Sequence, residues 1–342
     1  MHKNIWWAVL LLLIATLAAA QDEPTADTPY DFAISRTWLT VLRAQRTFLP
    51  KFRVKLLHRS DIKGLSEDCE VHIAGSVLGT SFGDPPAVVA EPPNVCKFRP
   101  GSNTPVTGNT STKPLWRTKI DSDVINKTCD VTGFPRIYTE HAEGGTVGSS
   151  NPNHVFEVHP ATRIACEGEQ ALEFTKFLRA FDGLKHIQPK SAQECLSTLR
   201  VWVRYHNVDD EDHYEFFQKR SGKCGNFAIV EVDSLPAEWI QATGGGHTAI
   251  GRVTVNGEDQ LTLKMYAITG TAADDWFARV KSGVHNLGDP RLVHGVLTYD
   301  YFSILRAIGQ DGTELAKPND WKEVRFPAAF VIFGSTTVVP WE

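Results

Sequence analysis

The sequence predicts a mainly β protein with a few helices: a small closed β-barrel, a helical connector, and a second β-rich domain for which a barrel is one option. The 342 residues are 42% hydrophobic and 22% charged, which is an ordinary globular balance. Short strand-like runs alternate with Gly and Pro turns from Cys69 onward, and helical periodicity is concentrated near the middle of the chain. Closing a small sheet into a barrel removes the exposed edges that promote aggregation.

The N-terminus predicts an export signal. Residues Ile5 to Ala20 are almost wholly apolar over 16 positions, follow Lys3 and end in three Ala residues. This pattern is typical of a cleavable signal peptide at residues 1–20, and a flexible polar leader at residues 21–35 follows it. An uncleaved anchor is the alternative. With cleavage near Ala20, we expect a secreted or periplasmic protein with no stable membrane span in the mature chain.

One stretch of the chain is strongly basic, although the whole chain has a net charge of -5. Between Arg36 and Lys63, eight Lys or Arg stand against one acid, Asp61, so the local charge is +7. Such a surface attracts phosphate or uronate groups. A solvated face whose long side chains lie over a neighbouring strand is the alternative. The candidate polymer-binding residues here are Arg43, Arg46, Lys51, Arg53 and Lys55.

The predicted barrel domain, residues 36–166, contains short strand-like runs separated by Gly and Pro. Pro160 predicts the end of the last run, because proline cannot donate a ladder hydrogen bond. The spacer from Gly101 to Lys113 predicts turns, and no long amphipathic helix is expected among the runs. Examples of these runs are Glu70–Ala74, Ala87–Ala90, Asp130–Gly133, Arg136–Thr139 and Val155–His159.

Helical periodicity predicts a connector over residues 167–198. Ala171 to Phe181 carries a stripe of Leu and Phe side chains, and Ser191 can cap a second helix that contains Leu196 and Leu199. We expect these two helices to join the β-rich domains.

The predicted second domain, residues 199–342, contains further strands and one short helix. Asn256-Gly257 predicts a tight hairpin, because both residues tolerate positive φ. Thr271 can accept the early amide hydrogens of a helix that Gly283 terminates. The predicted strands are Leu199–Tyr205, Phe227–Val232, Gly251–Ala267, Leu292–Tyr301 and Ala328–Gly334.

A short internal echo links the two domains. Asp130 to Tyr138 reads DVTGFPRIY and Leu292 to Tyr301 reads LVHGVLTYDY, so Gly133 and Gly295 each lie inside a β-branched and aromatic strand. A Gly in this position often marks a bend or bulge in a barrel wall.

The six Cys residues predict disulfides, because their number is even and no CxxC motif occurs. Four precede residue 170 and two follow it, so each domain holds an even set, and we expect Cys195 to pair with Cys224. Free buried thiols are the alternative. The candidates are Cys69, Cys96, Cys129, Cys166, Cys195 and Cys224.

Common catalytic and cofactor motifs do not occur in the sequence. It contains no GxSxG, HExxH, Walker or EF-hand pattern. Gly244 to Ala249 satisfies GxGxxA but leads into a strand-like run, so we expect no bound cofactor. His206 to His213 holds two imidazoles and four carboxylates, enough donors for a cation; a charged hairpin tip is the alternative.

A repeated tripeptide carries the main candidate site. Glu70-Val71-His72 and Glu157-Val158-His159 both place a carboxylate two residues before an imidazole, and residues i and i+2 of a strand share a face. Glu140-His141 adds a third pair. If the strands are neighbours, these groups can hold a poised base or a divalent metal, with His72 and His159 as candidate ligands. A structural polar network at a barrel end is the alternative.

Four segments, DCEVHIAG, VVAEPPNVC, DVTGFPRIYTEH and VFEVHPAT, occur in this order within residues 60–166. Together they resemble an uncharacterised module of exported bacterial proteins that begins with an Asp/Glu-x-His strand and ends with a Glu-Ile-His-Pro-type strand. The resemblance implies an OB-like (oligonucleotide/oligosaccharide-binding) barrel and no established reaction. Pro135 and Arg136 stand where the module has an apolar run. The matched signature positions are Glu70, His72, His141, Glu157 and His159.

Two functional hypotheses remain open. The sequence favours the first, which is an exported, non-catalytic binding or envelope protein. In this hypothesis the barrel binds an anionic polysaccharide, another sugar polymer or a nucleic acid. The alternative is a metal-dependent hydrolase that uses the paired Glu-x-His strands, with the cation lowering the pKa of a bound water. The ligand and the oligomeric state are left open.

Overall fold

The fold, seen in a computed structural model, contains sixteen strands and three α-helices within the described part of the chain. Mainly β structure with a few helices is confirmed. The described residues are 23–35, 48–49, 51–62, 70–78, 87–106, 112–137, 156–180, 189–208, 211–219, 227–255, 259–284, 291–300, 320–324 and 328–337.

The first half of the chain forms a closed five-stranded barrel. The strands are β2 (Lys51–Arg59), β3 (Ile73–Val77), β4 (Ala87–Ala90), β5 (Lys127–Ile137) and β6 (Phe156–Cys166), with β7 (Leu172–Glu173) added to β6. Around the barrel the strands follow the order β2, β3, β4, β6 and β5, and β5 pairs again with β2; the β4–β6 pair is parallel and the others are antiparallel. This order is consistent with the expected OB-like barrel.

Apolar and charged residues alternate along β2, and this pattern gives the barrel wall its buried and exposed faces. Phe52, Val54 and Leu56 are buried in the core, whereas Lys51 and Arg53 between them point outward. The period of two in side-chain direction therefore converts the KFRVKL pattern into one apolar and one charged face.

One helix in the first half of the chain was not expected. The 11-residue α1 (Lys113–Asp123) lies between β4 and β5. Only Trp116, Ile120 and Asp123 of this helix are buried, so its apolar stripe is too sparse to stand out in the sequence. Trp116 nevertheless anchors it, because the indole Nε1 donates a 2.7 Å hydrogen bond to the carbonyl oxygen of Phe98. The expectation that no helix interrupts the strands was wrong here, whereas the spacer before the helix does contain turns, at Pro100 and Gly101.

The end predicted at Pro160 was also wrong, because β6 continues through this residue to Cys166. The pairing of β6 with β5 jumps from Ala161–Gly133 to Val158–Pro135, so Pro160 has no partner in the β5 ladder. Its missing N–H therefore interrupts no cross-strand hydrogen bond.

The second half contains a six-stranded sheet that curls into a half-barrel. Its order is β10 (Phe227–Val232), β14 (Arg291–Tyr299), β16 (Ala328–Thr337), β13 (Asp259–Ile268), β12 (Gly246–Val255) and β11 (Gln241–Thr243). The hairpin predicted around Asn256-Gly257 is confirmed by the antiparallel β12–β13 register, although the turn lies outside the described residues.

The predicted helix of this half is α3 (Ala272–Lys281). Thr271 Oγ1 accepts a hydrogen bond from the Asp274 amide at 3.2 Å, and Gly283 follows the helix with a φ of 74°, so both predicted ends are confirmed.

A separate four-stranded sheet joins distant parts of the chain. Its order is β1 (Phe32–Ser35), β9 (Glu211–Lys219), β8 (Arg200–Val208) and β15 (Lys322–Glu323). The end of the predicted leader thus supplies β1. The β8–β9 register confirms that His206 to His213 spans a hairpin.

The connector holds one of its two predicted helices. α2 (Pro189–Thr198) is present, but residues Ala171 to Phe181 begin with β7, and a short 3-10 helix (Thr175–Ala180) follows it. Phe174 donates its amide hydrogen to the carbonyl of Thr162 at 2.8 Å, so this segment extends the barrel wall before it turns.

Both predicted glycine bulges are confirmed. The ladder shifts register on either side of Gly133 in β5 and at Gly295 in β14. A Cβ on Gly133 would overlap the backbone of Pro160, and one on Gly295 would overlap the backbone of Val331, so close approach requires glycine at both positions.

Disulfides are confirmed for the described cysteines. Cys129 on β5 is bonded to Cys166 on β6, and Cys96 and Cys195 are also disulfide-bonded. Cys69 and Cys224, and therefore the expected Cys195–Cys224 pairing, lie outside the described residues. The predicted signal peptide, residues 1–20, also lies outside the described residues. No helix among the described residues is long and apolar enough to cross a membrane.

Candidate metal centre

Barrel closure brings the two Glu-Val-His repeats together. Ile73 pairs with Ala90 across β3 and β4, and Ala90 pairs with Val158 across β4 and β6. The residues just outside these pairs, in the segment before β3, after β4 and within β6, must therefore meet at one point of the barrel wall. Glu70 and His72 come from the first segment, and Glu157 and His159 come from β6.

Because side-chain direction alternates along extended backbone, the two Glu and two His side chains of the repeats lie on one side of the barrel wall. Val71 and Val158, the central residues of the repeats, are fully buried in the barrel core. The flanking carboxylates and imidazoles therefore point the other way. Glu70 and His72 precede β3 rather than lying in it. Hydrogen bonds from the His72 amide to Ser60 Oγ (3.0 Å) and from the Ser60 amide to the His72 carbonyl (2.9 Å) hold them in place.

A third carboxylate, Glu91, completes the cluster. Its amide donates to the carbonyl of Val158 at 3.0 Å, and its carbonyl accepts from the amide of Ala161 at 3.1 Å, so its backbone continues the parallel pairing that closes the barrel. Sequence reasoning missed Glu91. The signal available was its position directly after the buried run Ala87–Ala90, but a single Glu before two prolines does not reveal its partners.

The carboxylate oxygens of Glu70 and Glu91 are shared between the two imidazoles. Nε2 of His72 lies 3.1 Å from Glu70 Oε1 and 3.6 Å from Glu91 Oε1. In His159, Nε2 lies 3.6 Å from Glu70 Oε2, and Nδ1 lies 2.6 Å from Glu91 Oε2 and 3.6 Å from Glu157 Oε2. Each of Glu70 and Glu91 thus turns one oxygen toward each ring.

Arg136 provides the balancing cation. Its Nη1 donates to Glu157 Oε2 at 2.5 Å, and its Nε donates to the carbonyl oxygen of Leu297 at 2.6 Å. The β5–β6 register, in which Arg136 pairs with Glu157, sets this contact. The sequence showed Arg136 only as a departure from an apolar run.

The whole cluster is withdrawn from solvent. His72 is 5% exposed, and the three carboxylates, His159 and Arg136 are each at most 1% exposed. The second half of the chain covers it, because the ring of Phe227 in β10 packs edge-on against His159 at 5.5 Å and Leu297 belongs to β14. The site therefore lies at the junction between the barrel and the six-stranded sheet.

The electrostatics of His159 reflect this burial. Burial alone lowers the pKa of an imidazole, but the charge of Glu91, contacts with Glu157 and Glu91, and the charge of Glu70 outweigh it and raise the pKa of His159 to about 10. Neither ring nitrogen makes a well-aligned hydrogen bond, although Nδ1 forms a 2.6 Å ion-pair contact with Glu91 Oε2 and Nε2 lies 3.6 Å from Glu70 Oε2. The pocket therefore favours positive charge strongly without offering His159 aligned acceptors.

Two overlapping triads in the described part of the chain have donor atoms close enough together to hold a metal ion. Glu70, His72 and Glu91 form one, and Glu91, Glu157 and His159 form the other; within each, one donor atom per residue lies within 4.8 Å of the others. Mixed carboxylate and imidazole donors suit divalent transition metals, whereas Ca²⁺ and Mg²⁺ favour oxygen alone.

The predicted polymer-binding residues Lys51, Arg53 and Lys55 of the basic stretch do not belong to this site. Lys51 and Arg53 form ion pairs with Asp130 at 3.3 and 3.2 Å, Arg53 also pairs with Glu167, and Lys55 donates to the carbonyl of Asn126. These cations lie on the outward face of β2, and Asp130 on the neighbouring β5, together with Glu167 just after β6, partly neutralises Lys51 and Arg53. The predicted residues Arg43, Arg46 and His141 lie outside the described part of the chain.

Comparisons with protein-family models, with curated proteins and with solved structures gave no match.

Proposed function

We propose that this protein binds one divalent transition-metal ion at the junction between its barrel and its second sheet, as a non-catalytic centre that stabilises the fold. The observation that carries the proposal is the environment of His159. Both of its ring nitrogens are buried without a well-aligned hydrogen bond and face carboxylate oxygens of Glu70 and Glu91, which also face His72. Buried polar atoms in proteins normally make well-aligned hydrogen bonds, and a cation bound by these donors would satisfy them instead.

Charge balance supports a divalent ion. Among the described residues, Glu70, Glu91 and Glu157 contribute three negative charges and Arg136 one positive charge, which leaves -2 when both imidazoles are neutral. A divalent cation neutralises this remainder, and neutral imidazole is the form that ligates metals. Without metal, protonation of His159 compensates only part of it.

Burial favours a structural centre over the hydrolase alternative. A hydrolytic metal needs an open position for water and for substrate. Here every ligand candidate is at most 5% exposed, and Phe227 packs on His159. In this conformation a polymeric substrate does not reach the donors.

Elemental analysis of protein purified without chelators tests the proposal. We expect close to one equivalent of a divalent transition metal in the wild type and strong loss of it in the double variant His72→Ala/His159→Ala. His58→Ala is the matched control, because this imidazole is exposed on β2 and lies outside the cluster. Sub-stoichiometric metal in the wild type, combined with no binding on titration of the chelated protein with Mn²⁺, Fe²⁺ or Zn²⁺, would refute the proposal.

We also propose export to an oxidising compartment and membership of the exported bacterial OB-like module. The apolar N-terminal run and the disulfide bonding of the described cysteines support the first. The five-stranded barrel order and the placement of both Glu-x-His segments beside one another support the second.

Binding of a sugar polymer is a second candidate, favoured by one surface feature. A cleft of about 430 Å³ lies beside α1, and Asn103, Lys119, Gln170 and Glu173 are among its lining residues. Lys119 is paired with Asp123 and Glu173 with Arg163, so the polar groups left to a ligand are mainly neutral amides, which suit uncharged sugar hydroxyls better than an anionic polymer. Calorimetry with neutral oligosaccharides and the double variant Asn103→Ala/Gln170→Ala tests it, and absence of wild-type binding would exclude it.

A further inference from the structure

We infer that Arg136 is the residue that determines the charge selectivity of the metal centre, making it specific for divalent over trivalent cations. The inference rests on the proposed metal binding and extends it to the class of ion. Arg136 is a positioning residue in this scheme, because it acts on the ion through Glu157 and through the electrostatic field of the site.

The geometry gives Arg136 this role. It is fully buried, and its guanidinium reaches the cluster through the 2.5 Å contact of Nη1 with Glu157 Oε2. The same Glu157 oxygen lies 3.6 Å from Nδ1 of His159, so the guanidinium is one carboxylate away from the donor atoms. The Leu297 carbonyl accepts from Nε and fixes the orientation of the guanidinium.

Removing this cation changes the charge of the site while leaving all five metal-donor residues in place. The described cluster would go from -2 to -3 when both imidazoles are neutral, which is the balance that a trivalent ion requires. At an effective dielectric constant of about 20 and a separation of about 6 Å, one added unit of ion charge interacts with one unit of site charge strongly enough to change relative affinity by about 100-fold. Relaxation around the substituted side chain reduces this, so we expect between about 10-fold and 100-fold.

The variants of Glu157 distinguish an effect of site charge from a purely structural role of the Arg136–Glu157 pair. Neutralising Glu157 alone takes the cluster to -1 and should disfavour a trivalent ion further. Neutralising Arg136 and Glu157 together restores -2. A purely structural role for the Arg136–Glu157 pair would weaken binding of all ions alike and would not reverse sign between the two single variants.

The experiment measures dissociation constants of Mn²⁺ and Tb³⁺ for the chelated full chain by calorimetry. Four proteins are compared: wild type, Arg136→Gln, Glu157→Gln, and Arg136→Gln/Glu157→Gln. Arg204→Gln is the matched control, because Arg204 is also a largely buried arginine paired with a glutamate, Glu215 at 2.6 Å, but belongs to the four-stranded sheet. Circular dichroism establishes that each variant is folded.

We expect the preference for Tb³⁺ over Mn²⁺ to rise at least about 10-fold in Arg136→Gln, to fall by a similar factor in Glu157→Gln, and to return close to the wild-type value in the double variant. The Arg204→Gln control should match wild type. If Arg136→Gln does not fold, Arg136→Gln/Glu157→Gln is compared with Glu157→Gln, and a preference for Tb³⁺ that does not rise between these two proteins would overturn the inference. If the wild type binds Mn²⁺ but the variants keep its preference between Tb³⁺ and Mn²⁺, this inference alone is overturned. A wild type that binds no metal would overturn the proposed function.

Discussion

Replacement of His159 by Gln in chelated protein should remove a large pH dependence of stability. The pKa of His159 is raised from 6.5 to about 10 in the folded state, mainly because Glu91, Glu157 and Glu70 surround it. Below pH 6.5 the imidazole is protonated in both the folded and the unfolded chain, so its favourable interactions contribute in full. As the pH rises from 6.5 to 10, the unfolded chain loses the proton first and this contribution declines.

The magnitude follows from the two pKa values. A difference of one pKa unit corresponds to about 1.4 kcal/mol, so the full contribution of His159 is on the order of 5 kcal/mol, and between about pH 7 and pH 9.5 the free energy of unfolding should fall by about 1.4 kcal/mol per pH unit. The imidazole is fully buried, which keeps solvent screening small.

Urea unfolding at several pH values measures this slope. The relevant quantity is the difference in slope between wild type and His159→Gln, since other groups that titrate in this range are common to both proteins. His58→Gln, at an exposed position, should keep the wild-type slope. Equal slopes for wild type and His159→Gln would refute the assigned charge of the buried imidazole.

Three further perturbations test the fold. Gly133→Ala should lower the free energy of unfolding by about 1 to 3 kcal/mol, because its Cβ would overlap the backbone of Pro160; a urea midpoint equal to wild type would contradict this packing. Thr271→Ala should cost about 1 kcal/mol through loss of the helix cap, seen as a lower melting temperature, and an unchanged value would argue against the cap. Removing the Cys129–Cys166 disulfide by double Ala substitution should cost about 4 kcal/mol, given its sequence separation of 37, and an unchanged denaturation midpoint would exclude that contribution.

Local patterns predicted most of the β structure because the information needed is contained in a few adjacent residues. The run Phe227–Val232 was expected as a strand and is β10 with the same bounds. Gly133 and Gly295 were expected at bulges and lie there, since a glycine weakens a regular strand and is favoured where the backbone bends or another chain segment approaches closely. Helix α1 was not predicted from the sequence because it buries few apolar side chains.

The candidate site was predictable only in part. The Glu-Val-His repeats identified Glu70, His72, Glu157 and His159, because two identical triplets stand out in a single chain. Glu91 and Arg136 form part of the same cluster, but nothing local distinguishes them from other charged residues. They reach it through barrel closure and through the β5–β6 register, which are properties of the tertiary structure.

The four-stranded sheet has a consequence for the order in which the molecule assembles. Its strand β1 pairs Phe32 with Phe216, whereas the barrel strands come from the continuous stretch between Lys51 and Cys166. Closing a long chain segment costs more entropy than closing a short one, and native contacts between nearby residues form fastest. The barrel can therefore fold as soon as residues 51–166 are available. Strand β1 can pair only after β9 is available, so it is among the last elements to pack.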